Sequence, residues 1–184
     1  MPEPTLPIET SRLRLRAPEP EDPAPLHAIM SRAEVARWVY WEPRSVEEVS
    51  RSLDRQINQD RSKELALIVE RRETGEMVGH LTLSLGPPEH RQAEIGFMFH
   101  PDHQGNGYAT EASHELVRLA FETYDLHRVY ARLEPRNTAS ARVLEKLGMR
   151  KEAHLAENEW VKGEWQSEAI YALLAREWRP QGVH

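Results

Sequence analysis

The sequence of 184 residues contains no cysteine. This absence excludes disulfide bonds, thiolate metal sites and a cysteine nucleophile with its covalent intermediate. No apolar run approaches the length of a membrane span, and the first residues, MPEPTLPIETSRLRLR, lack the apolar core of a signal peptide. We therefore expect a cytoplasmic protein that has no membrane partner and whose reaction uses no thiol of its own.

Clustered positive charge is also missing. The formal net charge is -6 at pH 7, and lysine and arginine form no long run. Because non-specific nucleic-acid binding depends on a basic surface, we expect no nucleic-acid partner. An acidic surface suits a cationic or amine partner better, although net charge also simply keeps a protein soluble.

The hydrophobic periodicity that is present predicts strands alternating with helices. RLRLR at 12–16 has the period of a strand, and residues 1–10 before it form an extended, proline-containing lead-in. Two helices should follow, the second capped by Ser45 with Glu48. ELALIVERRETGEMVGHLTLSL is typical of a hairpin, and AEIGFMFH of a further strand. The rest predicts a helix from Gly107, the strand RVYARL, a helix capped by Asn137 and two final strands, at roughly 150–161 and 165–174.

This order predicts one domain over residues 1–184, built on a mixed sheet flanked by helices. Strands joined by short turns pair antiparallel, whereas the strand-helix-strand crossover through 93–134 implies one parallel pair. With 39% hydrophobic residues, the chain can bury a substantial core.

The stretch FHPDHQGNGYATEA, residues 99–112, allows two interpretations. Gly105 and Gly107 can supply positive φ for a strand-to-helix turn and nothing more. Alternatively, they clear side chains from a helix N-terminus, so that backbone N–H groups and the helix dipole can hold a phosphate. Two other phosphate motifs are absent: the sequence has no G-x-x-x-x-G-K-[ST], and no G-x-G-x-x-G with an acidic residue beyond the next strand.

Residues Gln104 to Ala109 match the Q/R-x-x-G-x-G/A signature of the GCN5-related N-acetyltransferases (GNAT). EIGFMFHPDHQGNGYATEA and EPRNTASARVLEKLGMRKEA resemble the branch that includes the ribosomal-protein N-terminal acetyltransferases RimJ and RimL. TSRLRLRAPEPED and SEAIYALLAREW are similar to that branch's first and last strands, so the resemblance extends from about residue 8 to 179. Several spaced motifs that agree are more specific than the glycines alone.

The resemblance implies an α/β (α+β) fold with a mixed, mostly antiparallel central sheet of about seven strands and about four helices. It implies acetyl transfer from acetyl-CoA to a primary amine by direct attack in a ternary complex, without a metal. The implied acceptor is a protein or peptide N-terminal α-amine. A small amine, such as an aminoglycoside, polyamine or amino-acid analogue, remains an alternative, as do a non-catalytic acetyl-CoA sensor and a phosphate-binding module unrelated to CoA.

The resemblance also assigns the cofactor residues. The backbone of Phe97, Met98 and Phe99 should hold the pantetheine arm and polarise the thioester carbonyl. Asn137 matches a position that contacts the cofactor, or it is a plain helix cap. The pyrophosphate should lie on the backbone amides of the glycine loop, which comprises Gln104, Gly105, Asn106, Gly107, Tyr108 and Ala109.

Two residues are candidates for proton transfer. Glu94, on the strand before the glycine loop, is the candidate base, or else a glutamate in a salt bridge. Many family members protonate the thiolate with a tyrosine, but Leu144 stands at that position. Ser140 is the nearest alternative acid, or a serine that satisfies a backbone donor in the first turn of its helix. Tyr130 and Tyr171 lie on strands and fit core or rim positions better.

Trp38, Tyr40 and Trp41 form an aromatic loop that either walls the acceptor site or packs in the core, and Tyr40 is the member expected to face the substrate. The resemblance also allows a homodimer that uses this loop. We expect no metal site, because the histidines are spread without an H-x-x-x-H pair or paired carboxylates. The histidines in question are His80, His90, His100, His103 and His114.

Overall fold

A computed structural model describes residues 3–58, 60 and 62–179, and in this part of the chain an eight-stranded sheet carries five α-helices. The strands are β1 (Ile8–Glu9), β2 (Leu13–Arg16), β3 (Glu64–Arg71), β4 (Met77–Leu85), β5 (Gln92–Phe99), β6 (Arg128–Leu133), β7 (Arg150–Val161) and β8 (Glu164–Leu174). The helices are α1 (Pro23–Met30), α2 (Ala33–Ala36), α3 (Val46–Asn58), α4 (Tyr108–Arg118) and α5 (Thr138–Lys146). A π-helical turn, Leu119–Thr123, extends α4.

The strand order across the sheet is β1-β2-β3-β4-β5-β6-β8-β7. Only β5 and β6 pair in parallel, because α4 forms the crossover between them, and the other neighbours are antiparallel. The predicted mixed sheet and its one parallel pair are confirmed. The structure adds β1 within the lead-in and the one-turn α2, both too short to show a hydrophobic period.

Each face of the sheet has its own core, as the alternation along β3 illustrates. Leu67 and its alternate neighbours join the larger core, which contains Leu116 of α4 and Leu144 of α5. Ile68, on the opposite face, joins Leu53 of α3 in the smaller core beneath α1–α3. Successive strand residues point to opposite faces, so the buried residues 65–69 of β3 supply both cores.

The predicted helix caps are present. The Ser45 backbone N–H donates to Glu48 Oε2 at 2.8 Å, and the Glu48 N–H donates to Ser45 Oγ at 3.3 Å, which completes the capping box of α3. Asn137 Oδ1 accepts from the Ser140 N–H at 3.1 Å at the start of α5. Within the described residues, no helix is long and apolar enough to cross a membrane.

The two parallel strands separate part of the way along their length. They pair only from Gln92–Arg128 to Glu94–Tyr130, while β5 continues to Phe99 and β6 to Leu133. Beyond this point no strand in the described part of the chain covers the edge of β5 that faces β6. The sheet therefore opens into a cleft whose walls are two strand edges with free backbone groups.

Candidate functional site

The cleft between β5 and β6 opens into a cavity of about 660 Å³, called here the central cavity. It is lined by residues 95–99 of β5 and 131–133 of β6, by residues of the glycine loop and by the first turns of α5. Its other wall comes from α1 and α3 and from the aromatic loop. This size lies within the range of small-molecule and cofactor sites.

The glycine loop lies at the end of β5 and leads directly into α4. Gly105 has φ +81° and Gly107 has φ +79°, left-handed values that side chains rarely adopt. The two glycines thus supply the positive φ that the turn interpretation predicts. The loop also lines the central cavity through Gln104, Gly105, Gly107, Tyr108 and Ala109. Since the first N–H groups of a helix lack partners within it, the start of α4 is suited to an anion.

Arg12 and Glu111 fix the glycine loop from outside, and no pattern in the sequence indicated either of them. Arg12 Nη1 donates to the Asn106 carbonyl oxygen at 2.8 Å, and Arg12 Nε donates to Glu111 Oε2 at 2.7 Å. The guanidinium also lies over the Tyr108 ring, 4.9 Å from its centroid. Although burial opposes it, hydrogen bonds from Thr10 and Arg12 hold the pKa of Glu111 below its usual value.

Asn106 is the one predicted loop residue that does not line the central cavity. Its carbonyl accepts from Arg12, and its side-chain Nδ2 donates to the His103 carbonyl at 3.0 Å. Asn106 therefore holds the loop in shape from the outer side. The alternating cationic residues of RLRLR were a visible signal, but nothing near them in the sequence indicated the loop as a partner.

On β5, the predicted residues Phe97, Met98 and Phe99 all line the central cavity. Gly96 joins them and was not predicted. A Cβ built at Gly96 would lie 2.6 Å from Thr82 Oγ1 on β4, so a side chain there requires a shift. The absence of a side chain at this position therefore lets β4 and β5 pair closely where β5 lines the cavity.

Asn137 and Ser140 both line the central cavity at the start of α5. Asn137 caps the helix through its hydrogen bond to the Ser140 N–H. The Ser140 hydroxyl itself has no hydrogen bond to any described residue, which leaves its proton available. Leu144 is 1% exposed, so its side chain serves the core.

Glu94 lies on β5 but is not among the residues that line the central cavity. Its carboxylate forms a two-point ion pair with Arg132: Nε to Oε1 is 3.1 Å and Nη2 to Oε2 is 2.9 Å. The hydrogen bond from Arg132 to Glu94 raises the pKa of Arg132, which does line the cavity. The salt-bridge interpretation of Glu94 thus matches its contacts, and any role as a base involves Arg132 as well.

A second glutamate, Glu168 of β8, lies near this pair. It is 8% exposed, and its Oε2 lies 3.8 Å from Arg132 Nη1 with no hydrogen-bond partner in the described residues. Burial raises the pKa of Glu168 above its usual value. No local pattern in the sequence marks it, because β8 reaches Arg132 only through sheet pairing.

The three predicted residues of the aromatic loop differ in whether they line the central cavity. Trp38 and Trp41 line the central cavity, where Arg44 lies over the Trp41 ring at 4.7 Å. Tyr40 is 66% exposed and does not line the cavity, so the structure places it outside the wall that its neighbours form. The contact of Tyr40 with the substrate stays a prediction.

His80 of β4 lies on the cavity wall beneath α3. It is 2% exposed, and its Nε2 lies within hydrogen-bond distance of Gln56 Oε1, at 3.0 Å. Burial lowers the pKa of His80 to about 4, so the ring is neutral at pH 7 and donates through Nε2. Among the described residues, no group of three or more histidine, aspartate or glutamate side chains is arranged to hold a metal.

The charge of the central cavity is opposite to that of the whole chain. Among the described residues that line it, the cationic side chains are Arg44, Arg132, Arg142 and Lys146, and the single carboxylate is Glu34. A chain of net charge -6 therefore presents a basic cavity. This favours an anionic ligand at the site.

Comparison with known sequences identifies the family. A sequence model of the acetyltransferase (GNAT) domain matches residues 12–150. The uncharacterized N-acetyltransferase YnaD of Bacillus subtilis is 31% identical over 173 residues, which covers 93% of this chain and 98% of YnaD. The spermidine N(1)-acetyltransferase of Vibrio cholerae is 26% identical over 168 residues, 90% of this chain and 95% of that enzyme.

Solved structures show the same fold. The GNAT-family acetyltransferase of Bacillus anthracis superposes with a TM-score of 0.86 at 29% identity, covering 94% of this chain and 100% of that one. The Vibrio cholerae spermidine N-acetyltransferase in complex with CoA and spermine gives 0.81 at 25% identity, covering 91% and 98%. RimL in complex with coenzyme A gives 0.81 at 22% identity, covering 90% and 95%.

These matches confirm the family predicted from the residues between Gln104 and Ala109. The splayed strands, the glycine loop at the start of a helix and the basic cavity are consistent with it. The chain belongs to the acetyltransferase (GNAT) family and is an acetyl-CoA-dependent N-acyltransferase.

Proposed function

We propose that this enzyme acetylates the α-amine of a peptide or protein N-terminus, in a ternary complex with acetyl-CoA. The observation that carries the choice of acceptor is the charge of the cavity wall. Glu34 is the single carboxylate of the described lining, while Glu94 and Glu168, which do not line the cavity, are turned to Arg132. Such a wall accommodates an acceptor with one amine, and it suits the carbonyls and carboxylates of a peptide better than a chain of several ammonium groups.

Acetyl-CoA supplies an acetyl group activated as a thioester, and the residues present fit it. The start of α4, at Gly107 and Tyr108, offers unpartnered backbone N–H groups to the pyrophosphate. The uncovered edge of β5 from Ile95 to Phe99 offers backbone groups to the amide-containing pantetheine arm. An N–H on this edge is also suited to stabilise negative charge on the carbonyl oxygen during transfer.

The transfer forms a C–N bond and breaks the C–S bond, so one proton must leave the amine and one must reach the sulfur. An α-amine has a reference pKa of about 7.7 to 8.0, so little help is needed to deprotonate it. Glu94 takes this proton through water, beside its partner Arg132. Ser140, whose hydroxyl is unengaged among the described residues, donates a hydrogen bond to the departing sulfur, which then takes its proton from water.

A second candidate acceptor is a polyamine. The Vibrio cholerae relative at 26% identity is named as a spermidine N(1)-acetyltransferase, and its structural counterpart at 25% identity binds spermine. The acidic side chains that would favour such a ligand, Glu94 and Glu168, lie beside the cavity, where both contact Arg132. The RimL likeness, at 22% identity, concerns the fold alone.

The test measures acetyl-CoA-dependent release of the CoA thiol with a matched set of acceptors. Peptides beginning with Ser or Ala are compared with the same peptides blocked at the N-terminus but carrying an internal lysine, and with spermidine and an aminoglycoside. We expect turnover on the free N-termini and none on the blocked peptides, because a lysine amine, with a pKa of about 10.4, stays protonated at pH 7.

Calorimetric titration with CoA is carried out on the same preparation. Turnover on spermidine that exceeds turnover on every peptide would refute the α-amine proposal and select the polyamine. Tight CoA binding without turnover on any acceptor would instead support an acetyl-CoA sensor. Binding of ATP as tight as that of CoA would contradict the cofactor assignment itself.

A further inference from the structure

His80 is a titratable side chain of the cavity wall that the proposed reaction does not use. It is 2% exposed on β4 and lines the central cavity together with Gln56 of α3. Met98, its partner across the β4–β5 pair, and Met30 of α1 line the cavity as well, and both belong to or pack against the smaller core. The imidazole thus lies among apolar side chains, where a ring nitrogen without a partner costs free energy.

Two linked hydrogen bonds fix which ring nitrogen of His80 carries the proton. Gln56 Nε2 donates to Glu64 Oε1 at 3.4 Å, and because a carboxylate only accepts, the amide oxygen of Gln56 is the atom turned to His80. The distance of 3.0 Å between this oxygen and His80 Nε2 then requires a proton on Nε2. Since burial lowers the pKa of His80 to about 4, the ring is neutral at pH 7 and Nδ1 is a hydrogen-bond acceptor.

Nδ1 of His80 has no hydrogen-bond partner among the described residues. The lack of a partner assigns nothing by itself, because Nε2 of His114 also lacks one in the described part of the chain. The His114 ring, however, packs against Trp178 with the ring centroids 4.9 Å apart, and it does not line the cavity. His80 differs because its ring borders the cavity and its proton is held on the other nitrogen. Nδ1 is therefore left to a ligand that enters the cavity.

The position of His80 indicates which part of an acceptor reaches it. The amine must approach the uncovered edge of β5, whereas His80 lies on β4, one strand spacing of about 4.8 Å away across the sheet. A serine hydroxyl is three bonds from the α-amine of the same residue, and a hydrogen bond adds about 2.8 Å, so together they bridge this gap. An uncharged hydroxyl also suits a wall whose cations, Arg44 and Arg132, disfavour a lysine or arginine side chain.

We propose that His80 Nδ1 accepts a hydrogen bond from the side-chain hydroxyl of the acceptor's first residue, and so selects peptides that begin with serine over those that begin with alanine. Gln56 is a positioning residue, because it acts only through the proton on His80 Nε2. The inference rests on the proposed α-amine acceptor and adds the chemistry of the residue that carries this amine. When alanine stands there, Nδ1 stays without a partner, which disfavours the transition state.

Three acceptor peptides that differ only in their first residue test the proposal. These begin with serine, with alanine and with O-methylserine, which keeps the oxygen but has no proton to donate. We expect kcat/KM of the wild type for the serine peptide to exceed that for each of the others about ten-fold, as befits one buried hydrogen bond. In His80→Phe the three values should agree within about two-fold, because the acceptor nitrogen is gone.

Gln56→Met is a milder variant that keeps the imidazole. Its ring can carry the proton on either nitrogen, so the preference for serine should fall to about three-fold. Calorimetric titration with CoA should give the wild-type affinity for both variants, since neither residue lies on β5 or the glycine loop. His90→Phe, which replaces an exposed histidine outside the cavity lining, is the matched control and should keep the ten-fold preference.

The comparison within the wild type decides even where a variant fails to fold. Equal kcat/KM for the serine and O-methylserine peptides, or for the serine and alanine peptides, would overturn the role of His80 and leave the α-amine acceptor standing. A preference for serine that persists in His80→Phe would equally overturn it. Turnover on spermidine with none on the three peptides would refute the α-amine proposal, and this inference with it.

Discussion

The two sides of the central cavity are built by different means. The side proposed to bind the acetyl donor, formed by β5 and the glycine loop, comes from one continuous stretch, residues 92–109, and is expected to work through its backbone. The opposite side, proposed to bind the acceptor, is assembled from side chains of separate segments, with Trp41 after α2, Gln56 on α3 and His80 on β4. Backbone sites require particular residues at fixed spacing, whereas side-chain sites require only that the fold bring suitable groups together.

The largest effect should come from breaking the backbone of the donor side. Gly107→Val places a β-branched residue at φ +79°, where its Cβ also lies 3.4 Å from Arg12 Nη2. A strain of roughly 1–3 kcal/mol and a displaced helix N-terminus should weaken CoA binding about 100-fold. Calorimetric titration with CoA measures the loss.

Gly163→Val provides the control for this strain. Gly163 has φ +81° in the turn between β7 and β8, with no heavy atom within 4 Å of an added Cβ, and it does not line the cavity. This variant should lose stability and keep its affinity for CoA. If Gly107→Val bound CoA as the wild type does, the phosphate role of the loop would be wrong and the turn interpretation sufficient.

A smaller effect on the same side should follow from removing the external support of the loop. Arg12→Gln loses the contact with the Asn106 carbonyl and both contacts with Glu111, so the loop is no longer held before ligand binds. We expect CoA affinity to fall about ten-fold, because ordering the loop then costs free energy on binding. Arg14→Gln, which replaces an exposed cation two residues further along the chain, on β2, that lacks an ion pair in the described residues, should change affinity little.

These two variants also mark the limit of what the sequence predicts. Gly107 was predicted as a site residue because the role proposed for it depends on a local spacing that is visible in the sequence. Arg12 was missed because its partners, Asn106 and Glu111, lie about a hundred residues away, and only the pairing of β1 and β2 beside α4 brings them together. The contact of Glu94 with Arg132 was not predicted for the same reason, because these residues lie on β5 and β6, two strands joined through the α4 crossover.

The overall fold was more predictable than the site for a physical reason. Strand and helix periods extend over many residues, so β4, β5 and α5 were correctly predicted from alternation and caps. The two-residue β1 and the one-turn α2 are stabilised by tertiary contacts and leave no such pattern. The direction of a side chain is harder still to predict from the sequence. Tyr40 illustrates this, because it is exposed and does not line the cavity, although two residues near it in the sequence do.

Ser140 stands where the two sides meet, and its replacement should affect turnover rather than binding. Ser140→Ala removes the hydroxyl but keeps the backbone N–H that donates to the Asn137 side chain, so the helix cap is preserved. We expect kcat to fall about ten-fold with KM for acetyl-CoA nearly constant, because the hydroxyl acts as sulfur leaves. Ser140→Thr keeps a hydroxyl and should restore most of the rate. Full turnover by Ser140→Ala would leave this serine a purely structural role.

Replacement of Glu94 tests whether the reaction needs a side chain that accepts the proton of the amine. Glu94→Gln should lower turnover about five-fold and shift its pH profile, a modest effect because an α-amine deprotonates readily. Affinity for CoA should not change, since Glu94 does not line the central cavity. Arg132→Gln removes the partner and keeps the carboxylate, so it separates loss of the base from loss of the ion pair. An unchanged pH profile in Glu94→Gln would remove this residue from the reaction.

The smallest expected effect concerns the stability of the acceptor side in mild acid. The unfolded chain protonates His80 below its ordinary pKa of 6.5, whereas burial keeps the folded pKa at about 4. The neutral ring thus contributes stability that is complete near pH 7 and is lost as the pH falls through 6.5 toward 4. Between pH 7 and 5.5 this loss amounts to about 1 kcal/mol.

Urea denaturation of His80→Gln should show a pH dependence of the unfolding free energy that is weaker by that amount. His154→Gln, which replaces an exposed histidine on β7, should keep the wild-type dependence. Equal slopes for His80→Gln and the wild type would mean that the ring gains a proton in the folded state near pH 6. The contact of His80 with Gln56 would then lie in a site that water reaches, although His80 is buried in the structure.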